Sequence, residues 1–534
     1  MGIKRYTADS DTTITNAFAS SLLERSRGTG SNMGASDVVE VFSIYDQGQP
    51  GYLKSIDDRG DPSSGSVELT RTLVKFPISD VSTARTNGDI PASGSVNFYL
   101  RMFNAKHAHT LPRDFKLVIS PVSQSWEEGT GLDMEEYKDK THEGEGANWV
   151  HRGSNATWAT KGGSYRTDFV QTVTFSRGTE DLETDITPLV EKWIADNDFD
   201  NYGLGIRLSA SYEGYFSSST GVDTGSILHN VHGAKKSYYT KKFFARGTEF
   251  YFKRPLLEAR WDSSRKDDRA NFFYSSSLAT GDDNLNTLYL YNYVRGQLKD
   301  IPGFEEGTGN TFFVSLYSGS NPDNNSPSNE KLALSIGGNV ATTGDFSASV
   351  GHTGDTGIYS ASLAITSSNS IPQITKLFDV WYNASDTSIQ YQTGTITPKT
   401  LDSSPQNPSS KYVTKITNLK SVYPNEENAR FRVHVREKDW NPTIYSKAKG
   451  TVQNNIIDDA YYKVVRITDN LTVVNYGTGS SNLDYTRLSF DVSGNYFDFD
   501  MSMLETDYSY GIKFAYYVNG SYREQPEIFK FRVE

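Results

Sequence analysis

Cysteine is absent from the 534 residues, which removes disulfides, thiolate metal sites and cysteine nucleophiles together. No stretch approaches the ~18 consecutive apolar residues that a membrane-spanning helix needs, so no membrane role is expected. Basic charge is also short: 53 Lys and Arg stand against 65 Asp and Glu, a net of −12. A chain held to nucleic acid by phosphate contacts wants the opposite balance, so nucleic-acid binding is not expected. The basic residues of Met1-Gly-Ile-Lys-Arg-Tyr6 are not followed by an apolar core. No secretory signal is therefore expected, and synthesis in a cytoplasm is. Gly-rich phosphate loops, Gly-X-Ser-X-Gly elbows and His-Glu-X-X-His runs do not occur either.

Aromatic residues are abundant. They make up 13% of the chain, with 33 Tyr and 28 Phe, against 36% hydrophobic residues overall. Tyr, Phe, Thr, Val and Ser punctuated by 44 Gly is the composition of short strands and tight turns. At roughly 150 residues per domain, three or four domains are the starting expectation. Alternation places strands at 37–45, 66–76, 95–103, 115–120, 168–175 and 203–208, with more strand over 240–261. One helix is expected over Asp185–Ile194, where Pro188 sits early and Leu189, Val190, Trp193 and Ile194 share a face. A polar boundary at 262–269 precedes strands spaced at roughly ten residues, the last of them Leu377–Tyr382, and a Pro-, Ser- and Asn-rich linker at 397–410 precedes more. The expected division is an N-terminal arm over 1–30, a β module over 31–262, and two smaller immunoglobulin-like β-sandwich domains over 270–398 and 411–534.

Several clusters carry candidate chemistry. His107-Ala-His109 puts two imidazoles on one side of an extended strand, half of a zinc or nickel site. Two loop histidines are the alternative, as His142, His151, His229 and His232 are expected to be. Asp196, Asp198 and Asp200, interleaved with Asn197 and Asn201, resemble the first half of a calcium loop. Its sixth and twelfth positions hold Asn201 and Arg207 instead of Gly and a bidentate Glu, so a solvated turn ending the helix competes with a calcium site. Glu127, Glu128, Asp133, Glu135 and Glu136 supply carboxylates, while Trp126, Trp149 and Trp158 supply rings that either stack on a sugar or anchor a loop in the core. No two of these carboxylates are set apart by environment, as an acid and a base must be, so no enzyme is expected and no catalytic or cofactor-binding residue is assigned. Lys235-Lys236 and Lys241-Lys242 interleave with Tyr238, Tyr239, Phe243 and Phe244. At this net charge a subunit contact or a lysine-guarded edge strand is expected there.

Separated pieces of residues 66–261 form an ordered pattern. They are Thr70-Arg-Thr-Leu-Val-Lys-Phe-Pro-Ile78, Gly94–Leu100, Gln124-Ser-Trp-Glu-Glu-Gly129, Thr157-Trp158 with Gly162-Gly163, the Asp185–Ile194 helix, and Asn201-Tyr-Gly-Leu-Gly-Ile-Arg207. In order and spacing they resemble the DNRLRE-type, or disaggregatase-related, family, whose members look like carbohydrate-binding jelly rolls. The resemblance covers under half the chain, and the charged loop 130–154 and an insertion at 209–238 depart from it. It implies a jelly-roll-like β-sandwich over 31–262, with a Trp-bearing loop closed over the sandwich and a helix plugging one end. Sugar binding stays open. The whole chain also resembles structural proteins of marine tailed bacteriophages of the T4-like cyanophage type. Gly2–Asp9 with Thr12–Phe18, Tyr238–Gly247, Phe252–Pro255 with Glu258–Trp261, and Asn284–Gly296 carry that likeness.

The expectation is therefore an all-β, multidomain chain, a jelly-roll-like β-sandwich followed by two smaller immunoglobulin-like sandwiches. Its expected role is that of a bacteriophage virion structural protein, made in the host cytoplasm. It would contact other virion proteins and copies of itself in the neck, the tail or baseplate, or the capsid surface. The alternative is a carbohydrate-binding adhesin or fibre component, with Trp126, Trp149 and Trp158 on a host-surface glycan. Calcium is the one cofactor left open.

Overall fold

The computed structural model describes residues 2–19, 27–46, 67–106, 112–132, 136–137, 145–154, 156–195, 199–216, 228–276, 279–308, 312–319, 325–336, 339–340, 346–365, 374–399, 411–450, 452–477 and 484–534. The chain is all-β with a few short helices, and it divides into two compact units, Gly2–Trp261 and Asp262–Glu534.

In the first unit the strands are β1 (Ile3–Thr7), β2 (Ser10–Thr15), β3 (Val38–Asp46), β4 (Glu68–Lys75), β5 (Asn97–Met102), β6 (Phe115–Pro121), β7 (His151–Gly153), β8 (Ala156–Thr157), β9 (Gln171–Phe175), β10 (Leu182–Asp185), β11 (Leu204–Leu208), β12 (Lys236–Phe244) and β13 (Leu256–Arg260). Eleven of them form a four-stranded sheet in the order β1-β13-β5-β10 and a seven-stranded sheet in the order β12-β3-β4-β11-β6-β9, with β2 added on β4, and β7 and β8 pair with each other. Alternation decides which face is buried. Phe98, Leu100 and Met102 of β5, Leu257 and Ala259 of β13, and Phe115, Leu117 and Ile119 of β6 enter one shared core. This is a β-sandwich.

Two helices close that core. α2 (Thr187–Ala195) lies where a helix was expected, and the Asp185 carboxylate accepts the Thr187 N–H at 2.8 Å as its cap. α1 (Ile78–Thr86) was not expected. It buries Ile78, Val81 and Ala84, packs on α2, and shares an ion pair between Arg85 and Glu191 at 2.6 Å. The N-terminal arm expected over 1–30 is corrected as well. β1 pairs along its whole length with β13, and β2 along its whole length with β4, so these residues are sheet. Their hydroxyls and backbone find partners in the sandwich, which a free arm would leave to water.

The second unit holds two β modules. In one, Asn286–Tyr291, Ile358–Leu363, Ala348–His352, Phe312–Gly319, Leu377–Tyr382 and Gln390–Ile396 follow one another in a single sheet, with Pro327–Lys331 added on Phe312–Gly319. Its core includes Leu288, Phe312, Val314, Leu363 and Trp381. In the other, a four-stranded sheet containing Asn428–Glu437 and Gly494–Asp500 faces a six-stranded sheet containing Ala460–Arg466, Ser509–Val518 and Phe529–Val533. Aromatic rings fill the gap: Phe497 stacks on Phe431 at 5.1 Å and on Tyr462 of the facing sheet at 4.3 Å. The polar stretch 262–269 joins the two modules. Asp267 N–H bonds the Phe490 carbonyl at 3.0 Å, and buried Arg269 reaches Asp267 at 2.7 Å and Asp379 at 2.8 Å.

Candidate functional site

The outer face of the seven-stranded sheet carries the segment the sequence singled out. Ile14, Tyr45, Val67, Leu69 and Leu73 point away from the main core and are covered by Val122, Ala147, Trp149 and Trp158. A second, smaller core therefore lies between the sheet and the 122–165 loop.

Each motif residue has a fixed place in that cover. The Trp126 indole N–H donates to the Tyr202 carbonyl at 2.7 Å, and the Trp158 indole N–H donates to the Asn148 carbonyl at 2.9 Å. Trp149 is fully buried, its ring edge against Gly162 and the Arg71 guanidinium 5.4 Å from its centroid. With φ at +81°, Gly162 holds a conformation a side chain disfavours, and a Cβ there would stand 2.8 Å from the Trp149 ring. Trp149 and Trp158 thus have no free ring face for a sugar, which corrects their assignment as glycan contacts. Trp126 is half-buried.

The carboxylates are also engaged. Glu128 forms a bidentate pair with Arg246, at 3.0 and 2.6 Å, and accepts the Asp11 N–H at 2.8 Å. Glu127 accepts the Ser154 N–H at 3.1 Å. Asp133 and Glu135 lie outside the described residues. Asn32 pins this loop from the other side. Its amide donates to the Glu128 and Ala147 carbonyls, both at 2.9 Å, and its side-chain oxygen accepts from Gly131 at 2.9 Å and Gly34 at 3.2 Å.

Beneath the loop, Tyr165 lies on Gly205 of β11. Its hydroxyl donates to the Gly162 carbonyl at 3.0 Å, and Arg207 stacks 4.6 Å from its centroid. Buried Arg71 donates to the same carbonyl at 2.8 Å and pairs with Glu213 at 3.3 Å. On the far face of the smaller sheet, Glu258 is fully buried between Arg5 at 2.8 Å, Arg101 at 3.0 Å and Arg260 at 2.6 Å. Burial alone would raise its pKa, but the three guanidiniums overcome that and hold it far below the usual carboxylate range. Asp11 goes the other way, because burial pushes it up to about 7.

The metal candidates fare differently. His107, His109, Asp196 and Asp198 lie outside the described residues. Asp200 accepts the Tyr202 hydroxyl, and Asn201 donates to the Phe76 carbonyl at 2.8 Å. Among the described residues, no three His, Asp or Glu side chains are grouped to hold a metal, and no helix is long and apolar enough to cross a membrane. Of the paired lysines, Lys241 is buried, donating to Asn104 and to the Gly178 and Glu180 carbonyls at 2.6 to 3.0 Å, and burial lowers its pKa to about 8. Asn32, Arg71, Glu213 and Glu258 were not anticipated from the sequence. Most of their partners lie across the fold; Arg71 and Glu258 stood inside the quoted sequence patterns and Asn32 in a Gly-rich setting, but none was marked for a role.

No family model matches the chain, and no curated protein matches it. Among solved structures, the crystal structure of the chicken CNTN1 FN1–FN3 domains is similar at 11% sequence identity, over 57% of this chain and 84% of that one, with a TM-score of 0.13. A similarity that slight carries no argument about this chain.

Proposed function

We propose that the chain is a non-enzymatic structural protein of a tailed-bacteriophage virion, acting through contacts between its β modules and other virion proteins or copies of itself. One observation supports contact over chemistry: the loop with the carboxylates and tryptophans of a glycan site is spent on the interior. Glu128 is locked to Arg246, and Trp149 and Trp158 are buried against the sheet. A reactive carboxyl needs oxygens free to meet a substrate in a cleft, and a lectin ring needs a bare face. Both Glu128 oxygens are taken up by Arg246 and the Asp11 N–H, and neither Trp149 nor Trp158 has a bare face. The glycan-binding alternative keeps Trp126 alone.

Cryo-electron microscopy of the intact particle tests this reading. The expected result is density for the chain between other virion proteins in a ring or lattice. Failure to find it on any particle refutes the virion role. Density projecting from the tail periphery, with the Trp126 region outermost, would revive the adhesin reading.

A further inference from the structure

Apart from β2, which shares β4 with β3, four strands end the two sheets of the N-terminal unit: β1 and β10 in the smaller, β12 and β9 in the larger. Edge strands present unpaired backbone groups, and proteins blunt them with charge or cover. Three of these four are blunted. β1 carries Lys4 and Arg5, and β10 carries Glu183 and Asp185. β12 carries Lys236 and Lys242, and its edge is met by residues 103–105, with Ala105 donating to the Lys242 carbonyl at 3.0 Å. β9, Gln171-Thr-Val-Thr-Phe175, has no charge, no proline and no bulge against β6. Gln171, Thr172 and Thr174 are exposed, while Val173 and Phe175 pack on the core.

We propose that β9 pairs antiparallel with β9 of a second copy, about a twofold axis at Val173. The strand is self-complementary in that register. Val173 faces itself and Gln171 faces Phe175 on the inner side, while Thr172 faces Thr174 twice on the outer side, and β-branched cross-strand pairs of this kind stabilise a ladder. An isologous contact needs such a match of one patch with itself. Charge agrees at both ends. Reversal of the mate sets Glu180 of one copy against Arg166 of the other, and Arg177 against Phe169, one residue along from Asp168. The Arg177 side chain is exposed and makes no ion pair among the described residues, and Asp168 meets Arg166 only loosely, at 3.4 Å. Asp168 also lines a cavity of about 190 Å³ together with Phe169, Val170, Pro188 and Leu189, so a guanidinium brought near it can lay its stem over that cavity. The pairing deepens the assembly reading above and rests on that reading for its biological use, not for its geometry.

The absence of cysteine makes the test clean. Full-length Thr172→Cys and Thr174→Cys chains, mixed and oxidised, place their thiols opposite each other; either variant alone does not. The expected result is a covalent dimer that forms in the mixture and is largely lost with either variant alone. Sedimentation velocity of the unmodified chain should show its mass doubling as concentration rises, and Thr172→Lys with Thr174→Lys should abolish the doubling. A single-chain mass at every concentration, or equal cross-linking in all three samples, overturns the pairing. The location of the chain on a particle is a separate measurement, so the pairing can fail while the virion role stands.

Discussion

Gly205→Ala is a small change with a large expected cost, because of where Tyr165 lies. An added Cβ would stand 1.9 Å from one ring carbon of Tyr165 and 2.6 Å from the next, far inside van der Waals contact. The ring has little room to yield, since its hydroxyl holds the Gly162 carbonyl at 3.0 Å and Arg207 lies 4.6 Å from its centroid. Displacing it sacrifices about 1 kcal/mol of hydrogen bond and a similar cation–π term, beyond overpacking of about 1–3 kcal/mol. The sum is about 3–5 kcal/mol. Working against it is the reduced freedom of the unfolded chain, which favours Ala over Gly in a strand by roughly 0.5–1 kcal/mol. The assay is urea unfolding of the full chain followed by tryptophan fluorescence, five of the seven tryptophans lying in the N-terminal unit. In a Tyr165→Ala background the clash is gone, so Gly205→Ala should become neutral or slightly stabilising. An equal loss in both backgrounds would refute the packing argument.

Asn32→Asp replaces two amide donors with a carboxylate aimed at the Glu128 and Ala147 carbonyls; it should cost about 3–4 kcal/mol and raise acrylamide quenching of Trp149, and unchanged quenching would refute the pin. Glu258→Ala leaves Arg5, Arg101 and Arg260 around an empty place, with an expected loss of about 3–5 kcal/mol in calorimetry; a loss below about 1 kcal/mol would mean the cluster is solvated. The same glutamate contributes stability that is present above its unfolded pKa and lost as pH falls below it. Asp11 has the opposite sign. Its folded pKa is raised to about 7, so its protonated form favours folding below the unfolded value, and that contribution fades as pH climbs toward 7. Asp11→Asn should remove up to about 4 kcal/mol of pH-dependent difference between pH 4 and 8, and an unaltered pH–stability profile would refute it.

How far the sequence could be read depends on what kind of residue fills the strand. Leu377–Tyr382 was expected and found with the same ends, because Phe378, Val380, Trp381 and Tyr382 are large, β-favouring residues in one short run. β2 was missed because Ser10-Asp-Thr-Thr-Ile-Thr15 shows no apolar alternation, yet five of its six residues are buried. Its hydroxyls explain this: Thr13 accepts the Glu40 N–H at 3.1 Å, and Thr15 donates to the Leu69 carbonyl at 3.1 Å. Polar side chains with such partners can be interior, and hydrophobic periodicity cannot see them. α1 was missed for a related reason. Ser79, Ser82 and Thr83 dilute its apolar stripe to Ile78, Val81 and Ala84, enough to bury one line of a helix but too little for a periodic signal.

The candidate site was legible in its parts and not in its purpose. Four of the separated sequence pieces, Thr70–Ile78, Gln124–Gly129, Thr157–Gly163 and Asn201–Arg207, converge on one place. Trp126 ties to Tyr202, Gly162 makes room for Trp149, Gly205 makes room for Tyr165, and Arg207 stacks on Tyr165. Spacing in the sequence encodes this lid packing, and lid packing alone is enough to require Trp, Gly and Arg at those positions. Such a pattern implies a fold before it implies a ligand. What it does not contain is the set of partners that settle the chemistry. Glu128 meets Arg246 and Arg71 meets Glu213 at sequence separations of 118 and 142 residues. Once those pairs form, Glu128 and Arg71 hold the lid to the sheet, and the role proposed for the N-terminal unit rests on surfaces such as the uncharged β9 edge.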